Sequence, residues 1–468
     1  MDLKVKSKYI NKILNEVLLD ISPSNDEEKE EKVLSKKIIE ELYNIIHREN
    51  LMDLIVDIIQ VGSTARGTNL KNDYDIDIFV RFKKNIDREL LKEIILKIGK
   101  KAIERLGGKY QIEYAEHPYI SGNIGKYEID IVPCYKLNWM EKIISSVDRT
   151  PLHNEFLINT LKKHPLHNDI RLLKKFLKGL GIYGSDLKSK GFSGYLCELL
   201  IIHYGGFLNT LINAQRWRIG EKIILDEIYG LYNIDKSSYK FKDFDDPLIV
   251  YDPVDLNRNV AAALSKENFC KFIFYSRQFL KNPSKKYFYN YNKKIIEKIN
   301  NRNKGMLITL CINRDSEIVE DIIYPQMEKL QRSINKLLIE NNFEIIEYGI
   351  YANENMCYLS WEFLVWELPN VYIKVGPPVY STKGVDNFIE KYERYFIKDC
   401  NICAYVDRKY PNIYLLFKDI LSGKLKGKIK YPKYVSPEGA IIYDNIFVNQ
   451  YFSIINMDDI KNTKYHSN

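Results

Sequence analysis

Seven cysteines in 468 residues are too few, and odd in number, to build a disulfide framework. With no apolar signal region at the N-terminus, an intracellular location is expected, in the cytoplasm. No apolar run approaches the ~18 residues of a membrane span. The lone Cys400-Asn401-Ile402-Cys403 lacks the second ligand pair of a zinc site. Internal repeats are absent, and so is any extreme of charge. Lys and Arg number 70 against 62 Asp and Glu, a formal +8 that favours a polyanionic partner only modestly. What remains is 45% apolar and 28% charged, a folded composition rather than a disordered one. The length exceeds one ordinary core, so several domains are expected.

The stretch Val61 to Val80 carries the densest chemistry. Gly62-Ser63 opens a short helix or nest whose N–H groups and hydroxyl suit an anion, and Arg66 follows as a charged clamp. After the bend Asn69-Leu70-Lys71-Asn72 comes a β-branched run in which Asp75 and Asp77 share one strand face, while Ile76, Ile78 and Val80 pack below. Two carboxylates about 6–7 Å apart along a strand can hold hard divalent cations through oxygen. Asp73 has the same parity but sits nearer the loop. A second alternating strand, Tyr127 to Tyr135, supplies a third carboxylate. Asp130 lies deepest in its apolar run; Glu128 shares the face nearer the strand start and stays as an alternative.

Two N-terminal helices, over residues 3–19 and 26–48, are expected to pack on a catalytic sheet. Strands at 55–61, 75–82, 110–115 and 126–132 and an amphipathic helix over 90–106 complete a mixed sheet of four or five strands with helices on one side. From about residue 161 the pattern turns helical. A helix over 169–178 buries Leu172, Leu173, Phe176 and Leu177, leaving Arg171, Lys174, Lys175 and Lys178 to solvent or phosphate. One long apolar helix is read over 194–212, and Ser265 is a helix N-cap. Beyond Pro283 the Tyr- and Lys-rich run Lys285 to Lys294 suits RNA contact or a plain linker. A β-α-β-β unit follows over 306–368, then a basic run, Lys424 to Lys433, that is either a solvated loop or a phosphate track.

The residues quoted resemble the nucleotidyltransferase superfamily typified by DNA polymerase β: Gly-Ser, an Asp-x-Asp pair and a third Asp on a neighbouring strand. More narrowly, the chain is similar to the archaeal, class I CCA-adding enzymes from about Ile21 to Gly376-Pro377-Pro378. That likeness rests on the blocks Gly62–Val80, Asp130–Tyr135, Asp148–His153, Gly191–Glu198 and Asp252–Ala261. It implies an α+β multidomain chain: a polymerase β-like head with a mixed sheet plus helices (1–160), a helical central or neck domain (161–288), and an α/β body and tail that bind tRNA (289–468). The implied activity is template-independent addition and repair of the 3′-terminal CCA of tRNA from CTP and ATP, releasing pyrophosphate. Asp75, Asp77 and Asp130 would be catalytic and bind Mg2+, with Asp130 helping to deprotonate the RNA hydroxyl. Ser63, Arg66, His153, Lys174 and Tyr183 would contact the triphosphate and sugar, and Arg258 the base edge. A structural pairing of Arg258 with Asp252 or Asp255 is the alternative. The expected partner surface is the acceptor arm and elbow of tRNA, with no membrane, and the resemblance admits a homodimer. Rival readings are another RNA nucleotidyltransferase such as a poly(A) polymerase, or a non-catalytic RNA-binding protein; three intact carboxylates argue against the last.

Overall fold

The structure, a computed structural model, describes residues 3–114, 117–235, 240–289 and 305–444. The chain divides into two compact units, Met1–Asn292 and Lys293–Asn468. In the first, helices α1 (Leu3–Ile21) and α2 (Asn25–Arg48) precede strand β1 (Ile55–Val61), the one-turn helix α3 (Gly62–Arg66) and β2 (Asp75–Phe82). Helix α4 (Arg88–Arg105) leads to β3 (Lys109–Tyr114), β4 (Pro118–Ile124) and β5 (Tyr127–Tyr135). The five strands form one sheet in the order β1-β2-β5-β4-β3. β2 runs parallel to β5, while the β1–β2, β4–β5 and β3–β4 pairs are antiparallel. The sheet is therefore mixed.

Ser24 starts α2 with a capping box shared with Glu27. The α2 stripe Ile38, Leu42, Ile45 and Ile46 then packs with α4 on one face of the sheet. Helix α1 departs from expectation, because Ile10, Ile13, Leu14 and Val17 join the core of the following helices instead of the sheet's core. An apolar stripe requires burial but does not name the surface that buries it.

Next come α5 (Arg149–Lys163), α6 (His167–Leu180), α7 (Gly194–Tyr204) and α8 (Phe207–Ala214). The boundary expected at 160/161 falls within α5. The single apolar helix expected over 194–212 is instead two helices bent by 90°. Gly205 and Gly206 take positive φ of 70° and 134° and end α7, and the Asp169 carboxylate accepts from the Phe207 backbone N–H (2.8 Å) to start α8. Among the described residues no single helix is long and apolar enough to cross a membrane. A parallel pair, β6 (Glu221–Ile223) and β7 (Leu248–Val250), brackets α9 (Asp226–Leu231). Helix α10 (Lys266–Lys281) is capped by the Ser265 hydroxyl, and a 3-10 turn at Lys285–Phe288 ends the described part of the unit. Asn290 to Lys294 of the Tyr- and Lys-rich run lie outside the described residues.

The second unit holds a four-stranded antiparallel sheet made by Ile441–Asp444, Met306–Asn313, Met356–Val365 and Glu344–Ala352, in that order. Helices Glu320–Glu340 and Ile413–Leu421 pack on it. A three-stranded antiparallel sheet, Val371–Pro378, Asn401–Asp407 and Tyr395–Lys398, carries helix Thr382–Lys391. Cys400 sits exposed at a hairpin turn with positive φ, whereas Cys403 is buried on the strand. In the basic run Leu425 and Ile429 are buried in the core and pin the turns between lysines.

Candidate active site

Parallel pairing of β2 with β5 sets Asp77 opposite Asp130 and Asp75 opposite Glu128. Alternation sends Ile76, Ile78, Val80, Ile129 and Ile131 into the core beneath α2 and α4, so all four carboxylates emerge on the opposite face. Glu128 is exposed and Asp130 half-buried. One Asp130 oxygen, Oδ1, is buried without a hydrogen-bond partner. Burial, and then the charges of Asp130 and Asp75, push the Asp77 carboxyl up to about 7. Asp75 and Asp130 are raised as well, chiefly by burial. Arg66 opposes the rise at Asp77 and Lys178 that at Asp75, but neither cancels it.

Among the described residues no three His, Cys, Asp or Glu side chains already converge as a ready-made metal cage. The donor set nevertheless suits a hard divalent ion, being all carboxylate oxygen with one buried oxygen unsatisfied. The wall beside it is cut away too. A Cβ on Gly62 would come within 2.0 Å of Asp77 Oδ2, and Gly62 has a φ of 80°. Glycine is thus required twice, by conformation and by clearance.

Ser63 lies half-buried in the first turn of α3, and its carbonyl accepts from the Thr68 N–H (2.9 Å). Arg66, at the helix end, is not a free clamp. Its Nε and Nη2 donate in parallel to Glu198 Oε1 and Oε2, both at 3.1 Å, and Nη1 donates to Asn154 Oδ1 at 3.0 Å. Thr68 Oγ1 donates to Glu198 Oε1 at 2.6 Å. Lys174 Nζ donates to Thr68 O at 3.0 Å and lies 3.9 Å from Glu198 Oε1. Of the expectation that Arg171 and Lys174 are open to solvent or phosphate, the solvent part is therefore corrected. Both are buried, Arg171 donating to Asn69 O, Asn168 Oδ1 and Glu28 Oε1, because the loop 67–72 covers that side of α6. Of the four cations only Lys178 is exposed, and it pairs with Asp73. Tyr183 stands over the start of α7, where a Cβ on Gly194 would lie 3.1 Å from its hydroxyl and 3.7 Å from Lys174 Cε.

His153 and Arg258 meet elsewhere, on Asp252. His153 Nε2 is 2.8 Å from Asp252 Oδ2, Arg258 Nη1 donates to the same oxygen at 2.8 Å, and Tyr195 donates its hydroxyl to Oδ1 at 3.2 Å. The His153 ring stacks on Tyr195 with centroids 4.1 Å apart. Burial alone would raise the Asp252 carboxyl, but His153 and Arg258 together hold it down to about 2. This group borders a cleft of about 720 Å³ lined by Arg149, His153, Ser193, Tyr195, Asp255 and Arg258. Arg258 is 36% exposed there, and Arg149 pairs with Asp255.

Sequence reasoning did not single out Glu198 or Asn154. The signal for Glu198 was available: it is the one charged residue in Leu196-Cys197-Glu198-Leu199-Leu200-Ile201-Ile202, and a lone charge in an apolar run is buried and paired. Asn154 carries no such mark.

Comparison with known proteins gives a consistent pattern. Residues 35–153 match the family model described as a nucleotidyltransferase domain, 168–289 the second domain of tRNA nucleotidyltransferase, and 304–428 the C-terminal domain of the CCA-adding enzyme. A CCA-adding enzyme of Methanococcus maripaludis is 60% identical over 442 residues, covering 94% of this chain and 98% of that protein. The one from Methanocaldococcus jannaschii is 54% identical over 435 residues, covering 93% and 96%. That of Archaeoglobus fulgidus is 37% identical over 412 residues, covering 86% and 87%.

Proposed function

Given that the chain belongs to the CCA-adding enzymes, a family of nucleotidyltransferases, we propose that it adds C, C and A in turn to the 3′ end of tRNA from CTP and ATP, without a nucleic-acid template. The RNA 3′-hydroxyl attacks the α-phosphate, the new O3′–P bond forms, and pyrophosphate leaves. Asp130 Oδ1, the buried unsatisfied oxygen, accepts the hydroxyl proton. Asp75, Asp77 and Asp130 hold divalent cations, Mg2+ in this reading, which when bound supply charge stabilisation to the attacking and leaving oxygens. Ser63, Arg66, Lys174 and Tyr183 grip the triphosphate. His153 contributes from the Asp252 cluster, where Arg258 reads the base edge, its pairing with Asp252 orienting the guanidinium while 36% of the side chain stays open to the cleft.

The division of labour follows the segments 1–160 for chemistry, 161–288 for nucleotide selection and 289–468 for the acceptor arm and elbow of tRNA, all in the cytoplasm. The reading rests above all on Asp77 and Asp130 being paired across one parallel seam, beside a glycine that clears the space in front of them. The test is incorporation of labelled CTP and ATP into tRNA lacking its terminal CCA. Addition of two C and one A followed by arrest supports the proposal, whereas a growing A tail would assign the chain a poly(A) activity.

A further inference from the structure

Two cations and one anion share a buried site between the head and α7. Arg66 is 10% exposed, Lys174 4% and Glu198 fully buried, so water screens none of them well. Glu198 accepts both parallel bonds of the Arg66 fork and the Thr68 hydroxyl, and faces Lys174 Nζ at 3.9 Å. The cluster thus holds one more positive charge than negative. An excess cation in a dry site is costly until an anion arrives. Both cations already have protein partners, so their direction is set before any ligand binds.

We propose that Glu198 is a positioning residue for the incoming triphosphate: from α7 it fixes the guanidinium of Arg66 and the ammonium of Lys174 while leaving the pair one charge short of neutral. The proposal rests on the reading of Arg66 and Lys174 as triphosphate contacts. It assigns Glu198 no contact with substrate. Removing its charge leaves Arg66 without its fork and lets Lys174 lose its proton more readily. Burial already lowers Lys174, and Glu198 opposes that shift. The other groups that face Lys174 are Arg66 from α3, which acts with burial, and Cys197 of α7 and Asp73 of the loop before β2, which act against it.

The experiment uses the full chain with tRNA and follows kcat and KM for CTP and ATP against pH, together with melting temperature. Glu198→Gln keeps the shape and removes the charge. The expected result is KM for both nucleotides raised about tenfold with a smaller change in kcat, and the alkaline limb of kcat/KM, which reports the free enzyme, moved about one unit toward acid. Glu198→Asp, which restores the charge on a shorter arm, is expected to return the limb toward its original place. Thr68→Val, which deletes the hydroxyl that donates to Glu198 and accepts from Lys174 Nζ (3.4 Å), is expected to shift KM in the same direction by a smaller factor, and it serves if Glu198→Gln does not fold. A lower melting temperature with unmoved KM and alkaline limb would overturn the proposal and leave Glu198 merely structural. Lys174→Met separates the premise: an unchanged nucleotide KM in that variant would overturn the triphosphate reading itself.

Discussion

Asp77 and Asp130 face each other across the only parallel seam of the head sheet, β2 against β5. In an antiparallel arrangement the same two motifs would run in opposite directions; here both strands end toward the same edge. Burial first, and then repulsion from Asp130 and Asp75 when they are ionised, lifts the Asp77 carboxyl to about 7. Asp77→Ala or Asp130→Ala is therefore expected to lower kcat at least a hundredfold while leaving tRNA affinity intact. Without divalent metal, the melting temperature at pH 8 should not fall. A variant that keeps more than a few per cent of activity would remove that residue from the metal site.

Gly62→Ala tests the clearance in front of Asp77. The new methyl would overlap Asp77 Oδ2, and the φ of 80° is unfavourable for alanine. A stability loss of about 1–3 kcal/mol is expected from backbone strain. Activity should fall further than that loss explains, because Asp77 must swing away. Chemical unfolding and single-turnover incorporation measure the two effects separately, and unchanged turnover would show that the gap is not needed.

Arg258→Ala should damage base choice more than triphosphate binding. A site that pairs with a polar edge rejects a mismatched edge because buried donors are left unmet. The readout is the ratio of kcat/KM for CTP over UTP and for ATP over GTP, expected to fall about tenfold or more. Equal losses for all four nucleotides would reduce Arg258 to the structural partner of Asp252.

Acid stability reports the Asp252 cluster. A carboxyl depressed from 3.8 to about 2 stabilises the fold above about pH 4 and ceases to do so as the pH falls through about 2. Two units correspond to about 2–3 kcal/mol. Wild type should be more stable than Asp252→Asn near neutrality, and urea unfolding should show the gap shrinking between about pH 4 and pH 2. A gap that stays constant over this window would place the depression elsewhere.

Binding of tRNA should weaken steeply with salt, the slope growing by about 0.7–0.9 for each phosphate neutralised. A minihelix that retains acceptor arm and elbow but lacks the anticodon arm should be extended at a rate close to that of whole tRNA. An inert minihelix would contradict the expected binding surface.

Local signals carried the acidic strands well. The alternation around Asp75 and Asp77 is a period-2 pattern, visible without knowing any partner strand, and β2 runs over Asp75–Phe82 as expected. Strand β4 was not foreseen, since Pro118, Ser121, Gly122 and Asn123 are poor strand formers that pairing on both sides overrides. Nor could a helical stripe show that α1 joins the core of the helices that follow the sheet. The Arg66–Glu198 fork spans 132 residues, and no local pattern announces a pairing at that distance. Arg66 and Lys174 look from sequence like cations awaiting phosphate, whereas the fold has already given each a partner.

That span also has a consequence for how the protein is made. A ribosome releases the acidic strands and Arg66 long before Glu198, which lies a further 132 residues along. A nascent head can build its own sheet from residues up to Tyr135, yet its arginine then has no anchor. If Arg66 grips the triphosphate as proposed, nucleotide handling would begin only once α7 has left the exit tunnel and docked its Glu198 against that arginine.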